Sequence, residues 1–440
     1  GHAGQGMDDM CTAIEKQAAN LTFRPGELAT LVWGAGQAKR RGIIQAVEAQ
    51  LLVQAPKLSG GQVAQVLWGC GRSGYSSRRL LNALEKRAAS LSGELTPQDI
   101  GNTVWALAKM GHTCRSKLLT ILHTRIMESA PEFTGPSLAA SLWGYAILDP
   151  SQVGVFSVLT TQVERKAAAL SAAELSTAAW ACGHAGYLPP RMLDMVSVSL
   201  AEPEGAVGTQ WLVKAASACA NLKHDTPELL EAVARRVLAS PRSFMHVELA
   251  MVAEAFAAQG YEAPTVFEAL QREVMLRGVS SLAATDLART VSAMARVGHD
   301  GASLFGAIEE HAVRTVHQLS SYGLVRLLWA FAEVGFEVPS LLSAADCWLA
   351  SQAQEMGRQH ISPGLRKAFA THSFTPVKLL AATSVAGGHQ ERTCPHSDVV
   401  SGRRENLTRR ADAPNKWLRQ DSAEQLHYTR SVYPTEPCAV

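Results

Sequence analysis

The 440 residues are first informative for what they do not contain. Eight cysteines are present, yet none forms a CxxC pair and no His/Cys cluster has zinc spacing, which leaves neither a redox motif nor a zinc site to read. Several of them fall inside helical patterns, so reduced and mostly buried thiols are expected, as in an intracellular protein. No stretch approaches eighteen apolar residues without a charge or a turn former, and no membrane-spanning helix is expected. A P-loop, a nucleophile elbow and a paired-carboxylate motif are all missing, so no enzyme and no cofactor is implied. Charge is scarce and nearly balanced, with 18% of residues charged and a formal net charge of +2, which neither demands nor excludes a polyanionic partner. A hydrophobic content of 47% belongs to a packed chain rather than a disordered one.

What is present is a repeat, and a fixed period decides the fold before any local feature does. With tryptophan as an anchor, one register runs through Trp33, Trp68, Trp105, Trp143, Trp180, Ser217, Glu254, Ser292 and Trp329, at spacings of 35 to 38 residues. The residue five before the anchor is aliphatic all nine times, from Leu28 and Val63 to Leu287 and Leu324. Ten before it stands another hydrophobe, such as Phe23, Leu58, Leu95, Phe133 or Phe244. Between the two columns lie helix-start signals, Ser59 with Gln62, Ser171 with Glu174 and Thr96 with Asp99, which read as capping boxes flanked by a hydrophobic staple. Six residues after the anchor, glycine recurs at Gly74, Gly111, Gly186, Gly260, Gly298 and Gly335, where a left-handed residue would end the helix. A second amphipathic segment follows, as in "PELLEAVARRVLAS".

Each unit is therefore expected to be a helical hairpin, and the fold all-α: a right-handed α-solenoid of helix-turn-helix repeats of about 37 residues. Nine such repeats cover residues 23–357. The chain opens with Gly1, and Gly1-His2 matches Gly111-His112 and Gly298-His299, so residues 1–22 are expected to be the second helix of a preceding repeat cut short. "ISPGLRKAFA" at 361–370 reads as the first helix of a degenerate terminal repeat spanning 358–386. Beyond it, the polar residues 387–440 have no period and are expected to be disordered. His389, Cys394 and His396 lie in that tail, and three potential ligands there are expected to be accidental, so no metal is assigned.

A helical wheel at about 100° per residue explains why the tryptophan has small neighbours. The positions four before, one after and three after the anchor are almost always Gly, Ala or Ser, as in Gly101, Ala106 and Ala108 around Trp105. First helices stacked in a row would then approach closely, each indole filling space beside the small residues of the next copy. This makes tryptophan interrepeat core rather than a stacking platform for a ligand. Cys70, Cys182 and Cys219, two after the anchor, are expected in the core as structural thiols.

Only the positions three before and four after the anchor remain polar, and they share a face. In sequence they are Thr30/Gln37, Gln65/Arg72, Asn102/Lys109, Ala140/Ile147, Thr177/His184, Lys214/Asn221, Met251/Ala258, Arg289/Arg296 and Arg326/Glu333. These eighteen positions hold six basic residues and one acid, whereas residues 1–357 as a whole carry 29 basic and 32 acidic groups. A polar, positively charged stripe that varies from repeat to repeat is what one-base-per-repeat recognition of single-stranded RNA needs. The RNA-binding candidates are Thr30, Gln37, Gln65, Arg72, Asn102, Lys109, Thr177, His184, Lys214, Asn221, Arg289, Arg296 and Arg326. The pairs Ala140/Ile147 and Met251/Ala258 offer no hydrogen bonds to a base. The alternative is a protein-binding scaffold of the ARM/HEAT kind, or a structural subunit of an organellar ribonucleoprotein.

The unit "LTPQDIGNTVWALAKMGH" at 95–112 resembles the octotricopeptide-type repeat of organellar RNA-binding proteins, itself similar to the helical repeats that precede the RAP domain in FAST-kinase-like proteins. The resemblance covers about residues 1–385. It implies sequence-selective binding of messenger or ribosomal RNA in a mitochondrion or plastid, in support of RNA processing, stability, translation or ribosome assembly, alongside other ribonucleoprotein subunits and away from membranes. Asn102 and Lys109 match the family pattern best. The anchors Ser217, Glu254 and Ser292 depart from it, so looser packing is expected there. No RAP-like segment is visible, so no nuclease activity carries over.

Overall fold

The computed structural model describes residues 2–114, 117–201, 207–299, 301–356 and 363–385. Residues 387–440, expected to be disordered, lie outside the described residues. Every regular element among the described residues is a helix, and none is long and apolar enough to cross a membrane. The chain divides into two compact units, the first Gly1–Ala239 and the second beginning at Ser240.

The first unit opens with α1 (His2–Ala18) and continues as six hairpins: α2 (Pro25–Gln37) with α3 (Arg41–Gln54), α4 (Gly60–Ser73) with α5 (Arg78–Ser90), α6 (Pro97–Lys109) with α7 (Leu118–Ser129), α8 (Gly135–Leu148) with α9 (Val153–Lys166), α10 (Ala172–Ala185) with α11 (Pro190–Ala201), and α12 (Thr209–Asn221) with α13 (Pro227–Ala239). The second unit has four: α14 (His246–Ala258) with α15 (Pro264–Arg277), α16 (Ala284–Arg296) with α17 (Ala302–Thr315), α18 (Ser321–Val334) with α19 (Pro339–Met356), and α20 (Pro363–Thr371) with α21 (Val377–Val385). Within each unit, first helices pack on the neighbouring first helices and second helices on second helices. That is the layering of stacked hairpins in an α-solenoid.

The starts of the first helices follow the sequence closely. Ser59, Thr96 and Ser171 accept the N–H of Gln62, Asp99 and Glu174 in turn, and each of those side chains accepts the cap residue's own N–H, the reciprocal pattern of a capping box. All six glycines that follow the anchor by six residues are left-handed, with φ between 62° and 72°. Lys39, Lys223 and Ser373 adopt the same conformation at φ 53°, 54° and 53°, so the turn geometry persists where glycine does not. The sequence pattern gives no sign of one further element. Most second helices run into a short 3-10 turn, such as Ala55–Lys57 and Ser92–Glu94, which delivers the hydrophobe ten before the next anchor into the core.

The aliphatic column five before the anchor is buried in all nine repeats, none of its side chains being more than 3% exposed. At roughly 25 cal/mol per Å² of apolar surface, each such side chain contributes on the order of 2 kcal/mol. The small-residue columns interlock as expected. A Cβ on Gly36 would come within 2.6 Å of the Gly69 Cα, and one on Gly183 within 2.9 Å of the Ala218 Cα. One on Gly144 would lie 2.8 Å from the carbonyl carbon of Val104, closer than any real side chain is accommodated. Cys70, Cys182 and Cys219 are buried, and burial pushes the Cys70 and Cys219 thiols up to about 12.

Candidate functional site

The polar stripe rests on the anchor side chains, which in the first unit form a continuous ladder. Ring centroids lie 6.1 Å apart for Trp33 and Trp68, 6.4 Å for Trp68 and Trp105, 6.5 Å for Trp105 and Trp143, and 6.4 Å for Trp143 and Trp180. Such separations are those of favourable aromatic pairs, each worth about 0.5–1.5 kcal/mol beyond area burial. The inner rungs are core, with Trp105 only 3% exposed.

The two polar columns part ways on this ladder. The position four after the anchor stays at the surface or half-buried at each of its polar members in the stripe: Gln37, Arg72 and Lys109 are half-buried, and His184, Asn221, Arg296 and Glu333 are exposed. Two of these side chains lie on their own anchor. The Arg72 guanidinium sits 5.8 Å from the Trp68 ring centroid, and the His184 ring stacks on Trp180 at 4.9 Å with 15° between planes.

The position three before the anchor sinks along the row. Thr30 and Gln65 are exposed and Asn102 is half-buried, but Ala140, Thr177 and Lys214 are buried. The Thr30 hydroxyl donates back to the Gly26 carbonyl at 3.0 Å. Thr177 and Lys214 thus leave the open stripe on which the wheel places them. Lys214 is 1% exposed; its Nζ donates to Thr177 Oγ1 at 3.1 Å and lies 5.6 Å from the ring centroids of both Trp180 and Trp211. The cause is the ladder. The next anchor after Trp180 is Ser217, so the lysine stem fills the space beside the last indole and its ammonium rests between two ring faces. Desolvation there pulls the Lys214 ammonium down to about 7.

In the second unit the same neighbour relation is ionic. The carboxylate of the anchor Glu254 lies 3.4 Å from Arg289 Nε, and that of Asp286 lies 3.6 Å from its Nη1, so Arg289 is partly neutralised where Arg296 is exposed. Arg326 is half-buried, its guanidinium 5.9 Å from the Tyr322 ring. Met251 is buried.

Three sets of polar residues are not evident from the sequence pattern. The residue seven after the anchor reaches a second helix: Tyr75 donates to Glu48, His112 meets Glu85 and His224 meets Asp194, each at 2.7 Å, and His299 meets Gln271 at 2.8 Å. Hydrogen bonds from Ser77 and Tyr75 hold the Glu48 carboxyl below its ordinary range. The recurrence of Tyr and His at that position is the one signal of these pairs in the sequence. A second set consists of basic side chains that clasp a carbonyl at the entry to their own repeat: Arg87 on Leu58, Lys166 on Phe133, Arg236 on Val207 and Arg277 on Phe244. Their separations alternate between 29 and 33 residues, which hides them from a fixed-period reading. The third is Lys367, six residues before the left-handed Ser373 and so the anchor of α20, with Nζ 5.3 Å from the Trp329 ring.

Known proteins add one match to this geometry. Residues 203–380, less than half of the chain, are similar to a family described as RNA-editing substrate-binding complex 6 protein. No curated protein matches the chain.

Proposed function

We propose that the protein binds single-stranded RNA along its first helices and acts in RNA processing. The observation that carries this reading is the column four after the anchor, which puts a hydrogen-bonding or basic side chain at or near the surface in Gln37, Arg72, Lys109, His184, Asn221 and Arg296. Such a column can follow an extended strand, with Asn and Gln meeting base edges and the cations meeting bases or phosphates. The similarity of residues 203–380 to a family named for an RNA-editing substrate-binding complex supports it, as does the resemblance of the unit at 95–112 to octotricopeptide-type repeats. The same resemblance supports an organellar site of action, for which the mitochondrion is our proposal, and a binding rather than an enzymatic role.

Filter binding of the full chain to single-stranded RNA pools across salt tests the reading. Affinity should depend on sequence and fall as salt rises. Arg296→Ala, alone and with Arg289→Ala, should weaken binding and lower the salt slope by about 1 for each phosphate that is no longer neutralised, and the single variant should keep its thermal midpoint. Equal binding of all pools, or unchanged affinity in both variants, would overturn it.

A further inference from the structure

Arg72 and His184 share one column of the first unit, on α4 and α10, and each lies against the indole of its own anchor. Those indoles have little room for a ligand themselves. Trp68 is flanked by Trp33 and Trp105 and is only 5% exposed, and Trp180 is flanked by Trp143 and the Lys214 ammonium. What each indole backs is a second planar π group. Imidazole and guanidinium both have two faces, and the His184 ring uses one of them on its indole. His184, with 15° between its ring and that of Trp180, is exposed. A ring already held flat against a neighbouring indole has little rotamer freedom left to lose on binding.

We propose that these two pairs are platforms for unpaired nucleobases, one base stacking on the outer face of His184 and another on the guanidinium plane of Arg72. The inference rests on the RNA reading above and makes it specific: in the first unit the ligand is held by its base faces, and base edges are read only once the faces are seated. Single-stranded RNA offers unstacked, planar heteroaromatic rings, and histidine and arginine planes are among the surfaces on which such bases stack. A point-charge role for Arg72 would need no indole beneath it.

The test measures binding of a fluorescent single-stranded RNA of about twelve nucleotides, and of its abasic counterpart, to the full chain. His184→Ala should weaken RNA binding about ten-fold, in line with the usual cost of losing one base stack, while His184→Phe stays within about two-fold of the unaltered protein. Arg72→Lys keeps the charge and loses the plane, so it too should bind about ten-fold more weakly with its salt slope unchanged. The abasic strand should bind more weakly than the parent and be indifferent to His184→Ala. Should His184→Ala unfold the chain, the other two variants and the abasic strand still decide. Full affinity in Arg72→Lys, or equal binding of the abasic and parent strands, overturns the stacking assignment and leaves phosphate contact. A peptide ring that competes for His184 while RNA does not overturns it in favour of a protein ligand. If the unaltered chain binds no RNA at all, the RNA reading falls and this inference with it.

Discussion

Lys214 offers the sharpest test of the packing argument, because its environment sets a measurable pH dependence. In the unfolded chain its ammonium holds a proton up to the ordinary lysine value of 10.5, whereas in the folded protein burial brings that value to about 7. Between those limits the unfolded chain binds one proton more than the folded chain, so stability rises with pH across the window and the full cost of the buried charge is felt below it. At about 1.4 kcal/mol per pH unit that cost approaches roughly 5 kcal/mol. Lys214→Met keeps an unbranched stem beside Trp180 and Trp211 and carries no proton. Between pH 6 and pH 9 the unaltered protein should therefore gain roughly 3 kcal/mol relative to Lys214→Met. Urea unfolding of both proteins at pH 6, 7.5 and 9, compared at equal m-values, reads this directly. The two indole faces, each worth about 2 kcal/mol to a desolvated cation, work in the opposite direction. If they prevail, Lys214 stays ionised throughout and the difference between the two proteins is flat from pH 6 to 9. That flat result would refute the claim that desolvation governs this lysine.

Other outcomes follow from the interlocked helices. Gly69→Ala drives a methyl group into the Val32 carbonyl and should cost about 1–3 kcal/mol or more, seen as a lower thermal midpoint. Gly34→Ala, at the same column but with nothing within 4 Å of the added carbon, should raise the midpoint slightly through helix propensity alone. Trp105→Ala should cost roughly 3–5 kcal/mol as a core truncation, and a midpoint that hardly moves would show that the ladder does not hold the repeats together.

Much of this was legible in the sequence because the period is strict and each column has one physical job. The juxtaposition of Trp105 with Ala106 and Ala108 is explained by helices that touch backbone to backbone, and the glycine column by a left-handed turn. The turns at Lys39, Lys223 and Ser373 were not legible, since nothing in those side chains announces a positive φ. The burial of Thr177 and Lys214 was hidden for a related reason. A wheel treats each helix alone, and their position borders both solvent and the preceding anchor; only the loss of an indole at Ser217 decides which side Lys214 takes. The carbonyl clasps of Arg87, Lys166, Arg236 and Arg277 likewise show that basic residues counted as surface charge are partly committed inside the hairpins.

The tryptophan ladder also determines how the first unit comes apart. A stack of repeats behaves as a one-dimensional chain whose melting depends on the coupling between nearest neighbours. Four indole contacts of almost equal spacing, 6.1 to 6.5 Å, make the couplings from α2 to α10 nearly uniform, so this block should open as one cooperative piece. The interface of α10 with α12 has Lys214 where the earlier ones have an indole rung, beside the Ser176 hydroxyl's hydrogen bond to the Trp211 carbonyl, and its strength varies with pH. Amide exchange should therefore be slow and even across the first helices α4, α6, α8 and α10 and faster in α12, with the contrast sharpest in acid. Protonation of Lys214 thus loosens one interface of the first unit while the preceding first helices keep their register.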